Sequence, residues 1–312
     1  MRYFDGIAWT NHLHIPGRIP DIGEWLGSTF TVFGKHWRGA VVIALGSTLL
    51  SGLVVGVPAL TFVNGLTIVD ERLEGFSSAL LAVVIVAAVL AIVIQAVGIL
   101  ALNRYMQQAH YDDAPTVSGS LVHGLRRFPK LAGAVLWLTL GVIGALVVLA
   151  VLGTVSGWLL ALGIIAMIPV VVWSWVKLTF LPAAVAAAPK DARPIRTSAG
   201  VSEGRFWPVF GRLLLMAILL GVATNIISAS AGSFGSPIDA DAFATLEIDG
   251  ENGTLGDIEF AMFIPSTGVL IGALILTSVV QAASRMVSTS AYMRLYLDTG
   301  SPSDNPASAL HL

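Results

Sequence analysis

Cysteine is absent from this sequence, and charged residues are scarce. Without cysteine the chain can form no disulfide, thiol nucleophile or cysteine-ligated zinc or iron–sulfur site. Only 12% of its 312 residues are charged and 55% are hydrophobic, whereas about a quarter of the residues in a soluble domain are charged. A formal net charge of −2 provides no positive field for nucleic acid. These deficits argue against a nucleic-acid partner and predict a protein whose main solvent is lipid.

Charge is missing altogether from five long intervals of the chain. They cover residues 39–69, 75–103, 131–176, 213–238 and 260–284. A helix needs about 20 apolar residues to cross a hydrocarbon core of roughly 30 Å. The third interval is long enough for two crossings, and residues 153–157 (GTVSG) suit a tight turn within it. The sequence therefore predicts an all-α polytopic membrane bundle of about six transmembrane helices, arranged as three hairpins.

One membrane domain is predicted to occupy residues 20–298, between cytoplasmic tails at residues 1–19 and 299–312. The predicted spans are residues 40–63, 78–102, 131–153, 157–181, 208–232 and 262–284. An acidic external loop, residues 233–261, separates the last two spans. Charged residues recur up to Arg38, so no cleaved signal peptide is expected and the first span is expected to direct insertion.

Basic residues are distributed unevenly between the connecting segments. Of 17 Lys and Arg, four precede the first span, four lie in the second connection, five lie in the fourth connection when it is counted up to Arg212, and two follow the last span. The first, third and fifth connections contain ten acidic residues and only one basic residue, Arg72. Positive residues are retained on the cytoplasmic side of a membrane. Both termini are therefore predicted to be cytoplasmic, and the protein is predicted to lie in the plasma membrane.

A short motif of glycine, basic and aromatic residues precedes three of the spans. It occurs at residues 34–38 (GKHWR), 124–128 (GLRRF) and 204–207 (GRFW). Each copy ends an amphipathic stretch, and in the first stretch Trp25, Thr29 and Trp37 fall on one helical face. Each hairpin is therefore predicted to follow an amphipathic interfacial helix that lies along the inner leaflet.

The basic and aromatic side chains near these motifs are candidate contacts for membrane lipids or for a membrane-protein partner. Basic residues attract anionic headgroups, and tryptophan anchors helices at the interface. The candidates are Lys177, Trp37, Arg38, Arg126, Arg127, Arg205 and Trp207. Lys177, at the end of the fourth span, has three interpretations: a side chain that reaches the headgroups, a structural partner inside the bundle, or a site for a substrate or lipid headgroup.

Polar residues within the spans are few. Gln95, Asn225 and Gln281 are interpreted as hydrogen-bonding residues that hold helices together. Two pairs of small residues one turn apart favour close helix contact. These pairs are Gly52 with Gly56 and Gly268 with Gly272.

Several short segments together resemble a known family. They are residues 20–26 (PDIGEWL), 35–38 (KHWR), 176–184 (VKLTFLPAA), 195–198 (IRTS), 204–207 (GRFW) and 295–298 (LYLD). The pattern resembles the membrane module named for its occurrence in some glycerophosphoryl diester phosphodiesterases, which is found as a stand-alone protein in actinobacteria. The resemblance implies a six-helix membrane bundle without an established activity of its own. Phosphodiesterases of that type carry their metal-dependent chemistry on a separate soluble barrel, which has no counterpart in this sequence.

Three classes of function follow from these patterns. The leading interpretation is a non-enzymatic scaffold or accessory subunit that organises lipid, or that meets a partner through the acidic loop or the bundle surface. The alternative is a lipid or small-molecule transporter with a site between helix hairpins near Lys177. A membrane enzyme would have to use cytoplasmic-side residues that have no recognised catalytic spacing, namely Lys177, His36, His110 and His123, with Asp112 or Asp113. No cofactor, metal or catalytic residue is predicted. His12 and His14 have no third metal ligand nearby in the sequence, and the acidic residues between positions 233 and 259 do not have the spacing of an EF-hand calcium loop.

Overall fold

The computed structural model describes most of the predicted membrane domain. The described residues are 2–4, 9–13, 21–64, 67–69, 72–74, 78–111, 114–187, 193–232 and 267–299. The predicted acidic loop, the start of the predicted sixth span and the C-terminal tail beyond residue 299 lie outside them.

Helices form most of the described chain, which confirms the all-α prediction in its general form. They are α1 (Ile22–Asn64), α2 (Ser78–His110), α3 (Val117–Val155), α4 (Gly157–Leu178), α5 (Leu181–Ala187), α6 (Pro194–Gly200), α7 (Phe206–Gly232) and α8 (Thr267–Thr299). Between α3 and α4 only Ser156 is non-helical, and its hydroxyl oxygen accepts a 3.3 Å hydrogen bond from the backbone N–H of Trp158. The helix is therefore interrupted within the segment that the sequence indicated for a turn, and Gly163 of α4 lies next to the Leu149 side chain of α3.

Two short antiparallel hairpins were not predicted. In the first, β1 (Arg2–Phe4) pairs with β2 (Trp9–Leu13), inside the segment interpreted as a tail. In the second, β3 (Thr67–Val69) pairs with β4 (Arg72–Glu74), with Val69 opposite Arg72. Aromatic and β-branched residues favour strands, and in such short segments they give no pattern long enough to recognise from sequence.

Five of the described helical segments are long and apolar enough to cross a membrane. They are Ile22–Ala59, Ser78–His110, Val117–Thr154, Gly157–Ala187 and Phe206–Ile226. The protein therefore has the helices of a multi-pass membrane protein. Helix α8 has 33 residues and contains most of the predicted sixth span.

The predicted interfacial helices are wrong for the first two hairpins. Helix α1 continues for 43 residues and α3 for 39, so each joins the amphipathic stretch and the apolar run in one helix. At 1.5 Å per residue, α1 is about 64 Å long, roughly twice the thickness of a hydrocarbon core. Only the third copy of the motif lies at a helix start, where Gly204 has a φ of +69° in the turn before α7.

Protein contacts explain why α1 remains continuous. Trp25, on the face that was expected to rest on lipid, is completely buried and packs against Met216 of α7 and Ala291 of α8. Its indole N–H donates a 3.0 Å hydrogen bond to the Ala291 carbonyl. One turn later, Thr29 is also completely buried. Other helices therefore cover the part of this face that holds Trp25 and Thr29, and tertiary packing stabilises α1 there. Ile22 and Phe30, also on this face, remain exposed.

The buried core lies toward the basic ends of the helices. It joins the N-terminal half of α1, the C-terminal halves of α2 and α8, and the start of α7 to the short helix α5. Phe180, completely buried in the turn before α5, meets Tyr292 of α8 edge to face at 6.2 Å. By contrast, large apolar side chains are exposed along the middle of α3 and α4. This division matches helices that are surrounded by lipid in their middle and by protein at one end.

Candidate functional site

Trp37 and Arg38 lie side by side on α1, on the part of the helix that precedes the apolar run. Trp37 is 46% exposed and Arg38 is exposed. The guanidinium carbon of Arg38 lies 5.9 Å from the centre of the Trp37 ring, a distance at which a cation is attracted to the face of an indole. The pair can present charge and an aromatic surface together.

Arg126 and Arg127 lie on α3, one turn before its apolar run, with Arg126 exposed and Arg127 half-buried. The neighbouring His123 fixes this part of α3 to α5, because its Nε2 lies 2.9 Å from the Ala186 carbonyl oxygen. The two arginines are therefore displayed from a helix segment that is held firmly against the core.

Trp207 belongs to an aromatic cluster at the start of α7. Phe206 and Phe210 stack with their ring centres 5.9 Å apart, and Trp207 meets Phe206 edge to face at 5.4 Å. Trp175, near the end of α4, joins the cluster at 6.5 Å from Phe210. Trp207 remains 74% exposed, and Arg205 beside it is half-buried. The cluster ties the ends of α4 and α7 together and leaves one tryptophan free to contact lipid.

Lys177 lies in the last turn of α4 and is half-buried. Its ammonium nitrogen is 4.1 Å from the centre of the Trp173 ring, one turn earlier on the same helix. The hydroxyl of the buried Ser198 on α6 donates to the Lys177 backbone carbonyl. The lysine therefore occupies a junction between α4 and α6, with a cation–π contact to its own helix.

A groove between α3 and α6, called here the α3–α6 groove, was not foreseen from the sequence. Its volume is about 540 Å³, within the usual range for small-molecule sites. It is lined by Pro129, Lys130, Gly133, Ala134, Trp137, Arg193, Pro194, Ile195, Arg196 and Ala199. Three of these residues are basic and none is acidic, so the groove is suited to an anion that also carries apolar groups.

Comparison with protein-family models, curated proteins and solved structures gave no match.

Gln95 makes the cross-helix contacts that were predicted for it. Its amide N–H donates to the Ser51 hydroxyl of α1, and its carbonyl oxygen accepts from the Arg285 guanidinium of α8. Arg285 was not singled out from the sequence, because it stands at the boundary of an apolar run. The prediction is wrong for two other residues: Gln281 is exposed, and Asn225 is exposed and donates to Gly221 of its own helix at 2.8 Å.

Titratable groups also meet at the basic end of the bundle. Arg294 and Asp298 form an ion pair of 3.0 Å within α8, and Asp298 is buried. The Nδ1 of His110 lies 2.8 Å from the Met106 carbonyl oxygen. In the described part of the chain, no group of three or more His, Asp or Glu side chains could hold a metal ion. Both of these contacts lie within a single helix, whereas the α3–α6 groove provides open space beside charged side chains.

Proposed function

We propose that this chain is a non-enzymatic, multi-pass protein of the plasma membrane that acts as a scaffold or accessory subunit. The observation that carries the proposal is the separation of two regions along the same helices. The middle parts of α3 and α4 expose apolar side chains, whereas the basic ends of the bundle enclose a packed core. The basic end of the bundle is held rigid by this core and exposes basic and aromatic side chains. It therefore provides a stable surface that lipid or a partner protein can contact.

The proposed arrangement has six spans in three hairpins, formed by α1–α2, α3–α4 and α7–α8. Both termini are cytoplasmic in this arrangement, because basic residues are concentrated at the end of the bundle that contains the buried core. The resemblance to the phosphodiesterase-associated membrane module agrees with six helices. That family assignment stays a prediction.

The absence of cysteine allows a direct test of the orientation. Single cysteines at Lys35, Arg126 and Arg72 would be the only thiols in each variant. In intact cells, we expect a membrane-impermeant maleimide to label R72C, which belongs to β4, the second strand of the hairpin between α1 and α2. K35C and R126C should react only after the cells are permeabilised. Labelling of R126C in intact cells would contradict the proposed orientation.

A scaffold should be recovered together with another protein in a fixed ratio. We expect purification from mild detergent, followed by mass spectrometry, to give one protein partner at constant stoichiometry. A matched variant replaces the acidic residues of the predicted external loop by their amides. The residues are Asp239, Asp241, Glu247, Asp249, Glu251, Asp257 and Glu259. Loss of the partner from this variant would assign the contact to the loop, and a wild-type chain that always purifies alone would contradict the scaffold function.

The transporter alternative has less support from the geometry. It requires a site between hairpins near Lys177, whereas the Lys177 ammonium lies over the Trp173 ring at the end of α4. The cross-helix contact of Gln95 with Ser51 and Arg285 is polar, but these groups are joined to one another. Transport pathways usually need several polar groups that are available to a substrate.

A further inference from the structure

The α3–α6 groove combines one face of α3 with one side of α6. Lys130, Gly133, Ala134 and Trp137 line it from α3 at spacings of three, four and seven residues, so they share a helical face. Ile195 and Arg196 line it from α6. Glycine at position 133 leaves this wall without a side chain, and a Cβ atom placed there would meet nothing within 4 Å. The groove therefore has room for a ligand beside its charged residues.

The charges of the groove have one sign. Lys130, Arg193 and Arg196 are its charged lining residues. Arg193 and Arg196 are exposed, and no carboxylate of the described chain forms an ion pair with either of them. Guanidinium groups bind phosphate through paired hydrogen bonds. The charged rim is therefore complementary to a phosphate group.

The remaining lining of the groove is apolar and open. Trp137 is 73% exposed, and Ala134 and Ile195 complete the surface beside it. A free phosphate ion would gain nothing from an indole and aliphatic side chains, whereas a phospholipid carries acyl chains next to its phosphate. The position of the groove along α3 also fits a phospholipid, because Lys130 is the last charged residue before the apolar run 131–176. This is the depth at which headgroups meet hydrocarbon.

We propose that the α3–α6 groove binds one anionic phospholipid, with Arg193, Arg196 and Lys130 around its phosphate and with Trp137 and Ile195 against its glycerol and upper acyl chain. The proposal deepens the proposed function, on which it rests, because it names the lipid class that the scaffold would organise at the inner leaflet. It differs from general attraction between a basic surface and a membrane, since it requires a defined site with a stoichiometry of one.

The first test fills the groove without changing its charge. Full-length protein is placed in nanodiscs of phosphatidylcholine with about one-fifth phosphatidylglycerol and is then examined by native mass spectrometry. Gly133→Leu should lose the single retained phosphatidylglycerol, with affinity lowered about tenfold or more. Gly141→Leu is the matched control, because it lies on the same helix outside the groove and a Cβ there also meets nothing within 4 Å. Both changes favour the helix, so folding should be preserved in both.

The second test removes charge. Arg193→Gln with Arg196→Gln should lower phosphatidylglycerol retention about tenfold. Lys35→Gln with Arg104→Gln removes two basic charges outside the groove and should leave retention unchanged. Equal retention in the groove variants and their controls would overturn the proposal. Loss of retention on addition of inorganic phosphate alone would assign the groove to a soluble anion and would also overturn it. These results are independent of protein co-purification, so the lipid site and the scaffold function can fail separately.

Discussion

Replacing Gly124 by leucine should destabilise the protein by about 3 kcal/mol, near the upper end of the usual cost of overpacking a core. Gly124 lies where α3 crosses α2. A Cβ atom at this position would lie 2.7 Å from the Val97 carbonyl oxygen and 3.0 Å from the Ala101 backbone nitrogen. Backbone atoms of a helix cannot turn aside as a flexible side chain can. The two helices would therefore have to separate, with loss of the contacts that small residues allow within membranes.

Thermal unfolding in detergent, followed by loss of helical circular dichroism or by aggregation, would measure this effect. Gly141→Leu is again the matched control, because it makes the same change on the same helix where a Cβ atom meets nothing within 4 Å. We expect the melting temperature of the control to equal or slightly exceed that of the wild type, since leucine is the better helix former. Similar melting temperatures for the two variants would show that α2 and α3 do not approach as closely as described.

Close helix contacts were the part of the fold that sequence spacing located least well. The pair Gly52 and Gly56 matched the small-residue pattern, yet a Cβ atom at Gly56 would meet open space. The tight approaches occur at isolated glycines. At Gly39 a Cβ atom would overlap the Tyr105 hydroxyl, and at Gly98 it would lie 2.5 Å from the Ser47 side chain. Which glycine faces another helix depends on the rotation of each helix, and a sequence motif of two residues does not fix that rotation.

The long apolar helices were predictable because their signal is local. Charge-free runs and the GTVSG turn are read within a single segment, and α3 ends beside Ser156 as that turn requires. The α3–α6 groove has no local signal, because Lys130 and Arg196 come from separate connections and meet only after α6 packs beside α3. The basic residues were counted in the sequence, but their convergence depends on tertiary structure.

The amphipathic stretch before the first span shows a different limit of sequence patterns. Its apolar face was correctly identified as a face that must be covered, but the pattern is the same for a helix that rests on lipid and for one that packs on protein. Trp25 and Thr29 are completely buried, whereas Trp37, interpreted as part of the same face, is 46% exposed. Trp25 contacts protein because α7 and α8 pack against it. These helices are far from α1 in the sequence, so the local pattern could not indicate this contact.

Replacing Trp25 by alanine should therefore cost about 3–5 kcal/mol, as expected for removal of a large buried aromatic side chain. The change would leave a cavity between α1, Met216 and Ala291 and would remove the 3.0 Å hydrogen bond to the Ala291 carbonyl. Trp37→Ala is the matched control, since it removes the same side chain from the same helix at an exposed position. We expect thermal unfolding in detergent to show a large loss of stability for W25A and a change within about 0.5 kcal/mol for W37A.

A variant that retains more of the side chain separates the two contributions. Trp25→Phe keeps an aromatic ring in the site but has no N–H to donate, so it should recover most of the packing and lack a hydrogen bond worth about 1 kcal/mol. Its stability should lie between those of the wild type and W25A. If Trp25 instead rested on the membrane surface, W25A and W37A would lose similar stability in detergent and would both weaken association of α1 with lipid. The order W37A, W25F, W25A, from most to least stable, is expected only if α7 and α8 cover this face of α1.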